Sequence, residues 1–483
     1  MVSFFIFYSV LYYLYSLKIY IFMKKIYLLP LIIVAFLIII VWIFIPTKKV
    51  VAPTPSSPGI STTSTTNSSS TSIPTTNSST SDQFPALQPQ TITLKNGSTF
   101  TLNLPSEYHI TPANQGYRNL RFMTWSPDNR LFVAEMYNRG DISKGRLLIF
   151  ENFNEQTKQF EKVTTYLDNL RNPNNVAFYT DPSGMQWLYM ALTDKLVRYK
   201  YMAGETKPAG QPELLMKFLE QEAEYGPAGP HLTRKVTILP GGHITRTIAI
   251  HNNKLYVSIG STCDACDSAI TVWPEERYGR VVVMNMDGSN KINFAFGLRN
   301  AVGMTFVGDD LYATDMGVDH LGNDRPDDML YKIEADHEHG YGWPYCYESG
   351  GSIFLDTSQK WQGAFRELEE SKQLDLLCKD IPLSARAFPA HSAPLGLRYF
   401  TSEQQFPYLN NTFLVALHGS GTSTLARGYK VVRATLDGTV DDFITGFIQK
   451  GKIYGRPVDI LPYEDKGFFI SDDQAGVLYY VYR

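Results

Sequence analysis

One pattern recurs six times along the chain, and it constrains the fold more than any other feature. The segments are MTWSPDNRLFVAEM (123–136), VAFYTDPSGMQWLYMAL (176–192), TIAIHNNKLYVSIGS (247–261), GMTFVGDDLYATDMG (303–317), LGLRYFTSEQQFPYLNNTFLVALHG (395–419) and VDILPYEDKGFFISDDQ (458–474). Each reads as an apolar strand, a turn rich in Asp, Asn or Gly, and a second apolar strand. A third strand follows, such as GRLLIFE or GRVVVMNMDG. Hairpin units repeated in this way predict radial blades, so the expected fold is all-β, a six-bladed β-propeller over residues 91–483. The segment ITLKNGSTFTLNLP (92–105) is expected to supply the strand that closes the ring with the last blade. In a propeller, loops at one end converge on the axis, so functional residues should sit at equivalent strand ends.

Composition agrees with this reading. Aromatic residues make up 13% of the chain, which suits pleated, half-buried surfaces. The net charge is −3 with no basic stripe, so nucleic acid is excluded as the expected partner.

The first 90 residues read differently. From Ile26, IYLLPLIIVAFLIIIVWIF is apolar and uncharged and long enough to span a bilayer, and Lys24 and Lys25 precede it. No small-residue cleavage pattern follows. Residues 23–48 are therefore expected to be a retained transmembrane signal anchor. Residues 1–22 are also apolar; they are a second span, or they are untranslated with Met23 as the start. Residues 49–90 contain PTPSSPGISTTSTTNSSSTSIPTTNSSTSD, a composition that cannot bury apolar surface, and are expected to form a disordered stalk. Anchor and stalk place the C-terminal domain outside the membrane. The four cysteines fit an extracytoplasmic protein with two disulfides, Cys263–Cys266 and Cys346–Cys378. A redox C-x-x-C and a four-cysteine zinc site are the alternatives.

His243 sits after two glycines and just before a strand, in LPGGHITRTIAI. Alone it reads as a base, a metal ligand or a turn residue. Further loop motifs follow in order: FGLRN (Arg299, Asn300), DMG (Asp315, Gly317), RPDDML (Asp327, Asp328), YGWPYC, HSAPLG (His391), HGS with GYKVVR (His418, Lys430), and GRPVD (Arg456). The ordered set resembles the soluble glucose/sorbosone dehydrogenases, six-bladed propellers that carry pyrroloquinoline quinone (PQQ) and calcium. The resemblance covers roughly residues 98–483.

The resemblance implies an enzyme that oxidises an aldose or related sugar at the anomeric hydroxyl. It implies His243 as the general base and Arg299 as the arginine beside the reactive quinone carbonyl. It implies Asn300, His391 and Arg456 as cofactor contacts, and a fifth-blade contact among His418, Arg427 and Lys430. Gly317 and Val318 are implied as calcium ligands through their carbonyls, with Asp328 as a further candidate. The residue types suit the chemistry. An imidazole near neutrality can take a hydroxyl proton. Arginine and a divalent cation stabilise charge that builds on oxygen. Calcium takes hard oxygen ligands, and the three carboxylates of PQQ call for Arg and Lys. Electrons would leave to a quinone or a small redox protein.

Plainer roles stand beside these. Arg246 is expected to be structural. Asp315, Asp472 and Asp473 are expected to tie blades through turn hydrogen bonds. Asp327 and Asp328 are either staples or metal ligands, and Lys430 is either a cofactor contact or a solvated edge lysine. His337 and His339 form a possible metal pair. Two other functions remain open: a non-redox carbohydrate- or protein-binding propeller, and a calcium-dependent lactonase-type hydrolase with Glu135 as an axial ligand.

Overall fold

Six four-stranded antiparallel sheets follow one another around a ring. The computed structural model describes residues 84–140, 142–218, 242–261, 263–265, 278–335, 340–358, 378–421 and 424–483. The expected anchor (23–48), the stalk up to residue 83, Cys266 and the pair His337 and His339 lie outside the described residues. Among the described residues, no helix is long and apolar enough to cross a membrane.

Blades 1 to 3 are continuous in sequence. Blade 1 runs from Asn119–Trp125 to Gln159–Arg171, blade 2 from Asn175–Thr180 to Glu213–Lys217, and blade 3 from Arg246–His251 to Ile292–Phe296. Blade 4 starts with Met304–Val307 and Asp310–Asp315 and ends with Arg386–Phe388. A hairpin, Cys346–Ser349 with Ser352–Leu355, is inserted before that last strand. Blade 5 spans Pro394–Phe400 to Val440–Ile444. Blade 6 comprises Pro457–Tyr463, Gly467–Asp472 and Val477–Tyr482, and takes its fourth strand, His109–Gln115, from before blade 1. The first strands of successive blades lie side by side, and that of blade 6 meets that of blade 1, so the ring closes.

The closing strand is therefore His109–Gln115 and not residues 92–105. Residues 92–105 fold back on the preceding strand instead, pairing Gln88–Thr93 with Thr99–Leu104 across the turn at Asn96-Gly97. Among the described residues, this hairpin joins the ring's ladders through one isolated β-bridge, Asn103 to Thr445.

Six interblade cores hold the ring, and strand alternation assigns side chains to them. In LFVAEM of blade 1, Leu131 and Val133 pack toward blade 6 with Phe469 and Leu478. Phe132, between them, packs toward blade 2 with Val176, Leu188 and Tyr201. In blade 4, Leu311 and Ala313 face blade 3, while Tyr312 faces Phe413 and Val415 of blade 5. Both faces of each middle strand are buried, so these strands read as near-continuous apolar runs. On the axis, Phe122, Val302, Leu395 and Val458 form a separate apolar cluster, with Met316 packed against it.

The disulfide Cys346–Cys378 is present as expected and ties the inserted hairpin to the segment leading into the last strand of blade 4. Cys263 is also disulfide-bonded.

Candidate active site on the propeller axis

A recurring device sets the backbone at the ring's functional end. An acid at or near the end of a blade's second strand accepts N–H groups from the residues entering that blade's first strand. Asp315 accepts from Arg299 N (2.9 Å) and Asn300 N (2.6 Å) in blade 4. Asp472 accepts from Arg456 N (3.0 Å) in blade 6, and Glu135 from Arg118 N (2.9 Å) in blade 1. These carboxylates satisfy donors that no ladder can reach. Burial pushes Asp315 up to about 6 and Asp472 up to about 7, even though backbone N–H groups favour the charged forms. Asp315 and Asp472 are thus turn staples, as expected, but each bonds within its own blade rather than tying one blade to the next. Glu135 also pairs with Arg146 at 2.5 Å.

Met316, which borders the axial apolar cluster, also lines a cavity of about 200 Å³. His243, Arg299, Gly317, Asp319, His391 and Ser420 are among the other lining residues. Loops of blades 3, 4 and 5 meet here.

The imidazole of His243 is oriented by a short chain of hydrogen bonds. Its Nδ1 lies 3.0 Å from Ser261 Oγ, and the Ser261 hydroxyl donates to Cys263 O at 2.6 Å. That hydroxyl has one proton, already given to the carbonyl, so Nδ1 must be the donor to Oγ. Nε2 then carries the lone pair, and it has no partner among the described residues. Burial, and next the charge of Arg299, hold His243 well below its ordinary value. The ring is neutral at pH 7 with its basic nitrogen free. Gly260 permits this packing. A Cβ there would sit 2.4 Å from Asn300 Oδ1 and 2.8 Å from His243 Cβ.

Arg299 is only 4% exposed and lies among carboxylates. Its Nη2 donates to Asp264 Oδ1 (2.8 Å) and Asp319 Oδ2 (3.1 Å), and its Nε donates to Asp264 O (3.1 Å). His320 places Nδ1 2.7 Å from Asp264 Oδ2 and Nε2 2.6 Å from Asp356 Oδ2. Asp264, Asp319, His320 and Asp356 escaped sequence reasoning. They come from loops far apart in the chain, and the only local signal was the position of Asp264 inside C-D-A-C.

The other expected residues divide. Asn300 is buried, and its side chain approaches Met316 Sδ at 3.5 Å. Gly317 lines the cavity, and Val318 lies buried beside it. Asp328 accepts from Gly317 N (2.8 Å) and Ala393 N (2.7 Å), which makes it a staple between the blade 4 turn and the blade 5 loop. Burial pushes it up to about 7. Asp327 staples the inserted hairpin through Gly350 N. His391 lines the cavity and its Nε2 donates to Gly322 O at 2.7 Å. Arg427 pairs with Asp324, and Lys430 with Asp442 at 2.6 Å, so neither is aimed into the cavity.

His418 and Arg456 form a second buried cluster. Arg456 donates to Gly419 O, Ser420 O and Tyr429 Oη at 2.8–2.9 Å and lies over the Tyr429 ring. His418 Nε2 lies 2.8 Å from Asp473 Oδ1, and Asp473 also receives Arg121 at 3.0 Å. Burial pulls His418 down to about 4 despite Asp473. Asp473 is held well below the usual carboxylate range: burial opposes ionisation, but His418, Arg121 and Arg139 outweigh it. Arg246 is fully buried and donates to His243 O and Thr245 O, the structural role expected of it.

The fold and site define a class: a six-bladed propeller whose axial cavity presents a neutral, basic histidine beside an arginine clamped by carboxylates. The chain belongs to the TrAA12-like family, whose sequence profile matches residues 102–443. The kinship read from the loop motifs is thereby borne out. Among solved structures, the holo form of the pyranose dehydrogenase PQQ domain from Coprinopsis cinerea shares the fold. It has a TM-score of 0.59 at 17% identity, covering 80% of this chain and 97% of that one. The calcium structure of Trichoderma reesei Carbohydrate-Active Enzymes Family AA12 gives 0.60 at 15% identity, covering 78% and 96%. A glucose dehydrogenase crystal structure gives 0.51 at 13% identity, covering 77% and 99%. An uncharacterised protein of Borreliella burgdorferi is 31% identical over 242 residues, 48% of this chain; the match spans 58% of that protein's length.

Proposed function

We propose that the chain is a PQQ- and calcium-dependent dehydrogenase that oxidises an aldose or related pyranose at its anomeric hydroxyl. The observation that carries this reading is the neutral His243, whose Nε2 has no partner among the described residues and which lines the same cavity as Arg299. Family membership supports it.

The donor set fits the group. Arg299 lines the cavity, so a cationic donor is available there for carboxylates, and His391 lines the same space. Among the described residues, no three acid, histidine or cysteine side chains converge as a metal cluster. The calcium proposal therefore rests on the carbonyls of Gly317 and Val318, with Asp319 and Asp328 close by in sequence or space. Bound there, PQQ supplies a two-electron acceptor for the hydride leaving the sugar carbon.

The chain's own residues do the rest. His243 Nε2 takes the hydroxyl proton as the C–H bond breaks, a contribution of about 10²–10⁴-fold. The Ser261 contact keeps the proton on Nδ1, so Nε2 is left as the basic nitrogen. Arg299 offers fixed positive charge where negative charge grows on oxygen, and its clamp leaves little reorganisation to be done.

Residues 23–48 are proposed to anchor the enzyme, with the propeller extracytoplasmic and electrons passing to a quinone or a small redox protein. The bonded state of Cys346 and Cys378 supports an oxidising compartment.

The test uses the full chain, stripped with chelator and titrated with PQQ and calcium while sugars reduce an artificial dye. Sugar-dependent reduction that needs both additions is expected, with His243→Ala losing turnover but still binding PQQ. A chain that takes up PQQ and calcium yet reduces dye with no aldose or pyranose contradicts the proposal. One observation favours a non-redox sugar-binding propeller instead: Arg427 and Lys430 are engaged by Asp324 and Asp442. Calorimetric sugar binding without PQQ uptake would select that reading.

A further inference from the structure

Asp264 joins three segments at the site: the Arg299 side chain, residues 319–320 and Trp343. Its Oδ1 accepts from Arg299 Nη2 (2.8 Å) and from Asp319 N (2.7 Å). Its Oδ2 accepts from His320 N (3.2 Å) and faces His320 Nδ1 (2.7 Å). Its main-chain oxygen accepts from Arg299 Nε (3.1 Å) and from Trp343 Nε1 (2.9 Å). One residue thus grips the arginine at two of its nitrogens, once through a carboxylate and once through a carbonyl.

That double grip fixes the plane of the guanidinium as well as its position. Asp319 also contacts Arg299, but it is 63% exposed against 23% for the Asp264 side chain, so its hold is screened by water. Nη1 is the terminal nitrogen left without a partner among the described residues, and Arg299 lines the cavity. The same carboxylate holds the main chain of residues 319 and 320, directly after the Gly317-Val318 turn. Asp264 is anchored in turn. Its neighbour Cys263 is 4% exposed and disulfide-bonded, and the Cys263 carbonyl receives the hydroxyl of Ser261, which orients His243. Burial opposes ionisation of Asp264. Arg299, the Asp319 N–H and His320 outweigh it and hold the group below its usual value.

We propose that Asp264 is the positioning residue of this site, aiming the free edge of Arg299 at the reacting oxygen. Its catalytic consequence rests on the dehydrogenase reading; its grip on Arg299 does not.

Two measurements on the full chain separate these. The first needs no cofactor: phenylglyoxal labelling of arginines, read by peptide mass spectrometry. Asp264→Asn should raise the labelling rate of Arg299 about tenfold and leave Arg456 unchanged, since Asn keeps the shape but not the charge-assisted grip. Asp264→Glu, the variant to use if Asn fails to fold, keeps the charge and should hold the increase below about threefold. The second measurement is turnover with PQQ, calcium and sugar. Asp264→Asn should lower kcat about 10²-fold with KM within about threefold, because misaimed charge is felt in the transition state. In an Arg299→Gln background the same substitution should cost less than about threefold, because its route through Arg299 is already gone. Unchanged Arg299 labelling in Asp264→Asn overturns the proposal, as does an equal loss of kcat in both backgrounds. If the unaltered chain shows no PQQ-dependent turnover, the dehydrogenase reading falls, and labelling alone decides the role of Asp264.

Discussion

Two walls at this end of the ring each hold a histidine and an arginine, the first lining the axial cavity and the second buried behind Gly419 and Ser420, and they use them in opposite ways. On the wall built by blades 3 and 4, His243 gives its Nδ1 proton to a hydroxyl and keeps Nε2 free, and Arg299 lines the open space. On the wall built by blades 5 and 6, His418 turns Nε2 to Asp473, and Arg456 spends its terminal nitrogens on two carbonyls and a phenol. Burial drives both histidines below their ordinary value. The difference lies in the partner. A serine that has already donated its proton orients a base without adding charge. A buried carboxylate shared with Arg121 makes the other histidine part of a cohesive cluster. The first wall is arranged to react, and the second to hold.

The largest test of that contrast is Asp473→Ala. It strips the counter-charge from Arg121, which is 6% exposed, and the hydrogen-bond acceptor from His418. Breaking a buried pair on one side costs about 3–5 kcal/mol, and urea unfolding should show a loss of that size. Next is the pH dependence of the holding wall. The folded value of His418 is about 4, below its unfolded value, so the fold favours the neutral ring. Stability from this group is complete above about pH 6.5 and is lost as pH falls toward 4, by ~3 kcal/mol. His418→Gln should flatten that acid limb relative to the unaltered chain in urea titrations from pH 7 to 4.

Gly260→Ala sharpens the comparison from the reacting side. Its Cβ would be forced against Asn300 Oδ1 and His243 Cβ. A cost of about 1–3 kcal/mol is expected, with turnover falling more steeply than stability because the base is displaced. Ser261→Ala is the smallest change. Losing its two hydrogen bonds, to His243 Nδ1 and Cys263 O, costs about 1–2 kcal/mol of stability. Turnover should fall about tenfold as His243 samples both tautomers, and steady-state kinetics with a matched melting curve would show it.

Much of this fold was legible in the chain because each blade's middle strand is buried on both faces and so reads as an apolar run. The closing strand was not. HITPANQ carries Pro112 and polar residues and resembles a loop. Pro112 is tolerated because this strand is the outermost of blade 6, pairs on one side only, and shifts register there. The rival segment 92–105 looked more strand-like but contains Asn96-Gly97, a turn that folds it onto its own neighbour. At the site, His243 and Arg299 were legible because each precedes a blade's first strand. Asp264, Asp319, His320 and Asp356 were not, because nothing in a linear sequence says that the loops at 264, 320 and 356 meet. Lys430 shows the converse: a basic residue in a promising motif whose strand pairing turns it toward Asp442.

The most direct measurement is sugar-dependent dye reduction by the PQQ- and calcium-loaded chain, with His243→Gln set against His418→Gln at pH 7. If one wall reacts and the other holds, His243→Gln loses at least about 10²-fold in kcat with its stability nearly intact, whereas His418→Gln keeps kcat within about tenfold per folded molecule. A folded His418→Gln that is silenced as deeply as His243→Gln, or a His243→Gln that still turns over at the native rate, would contradict it.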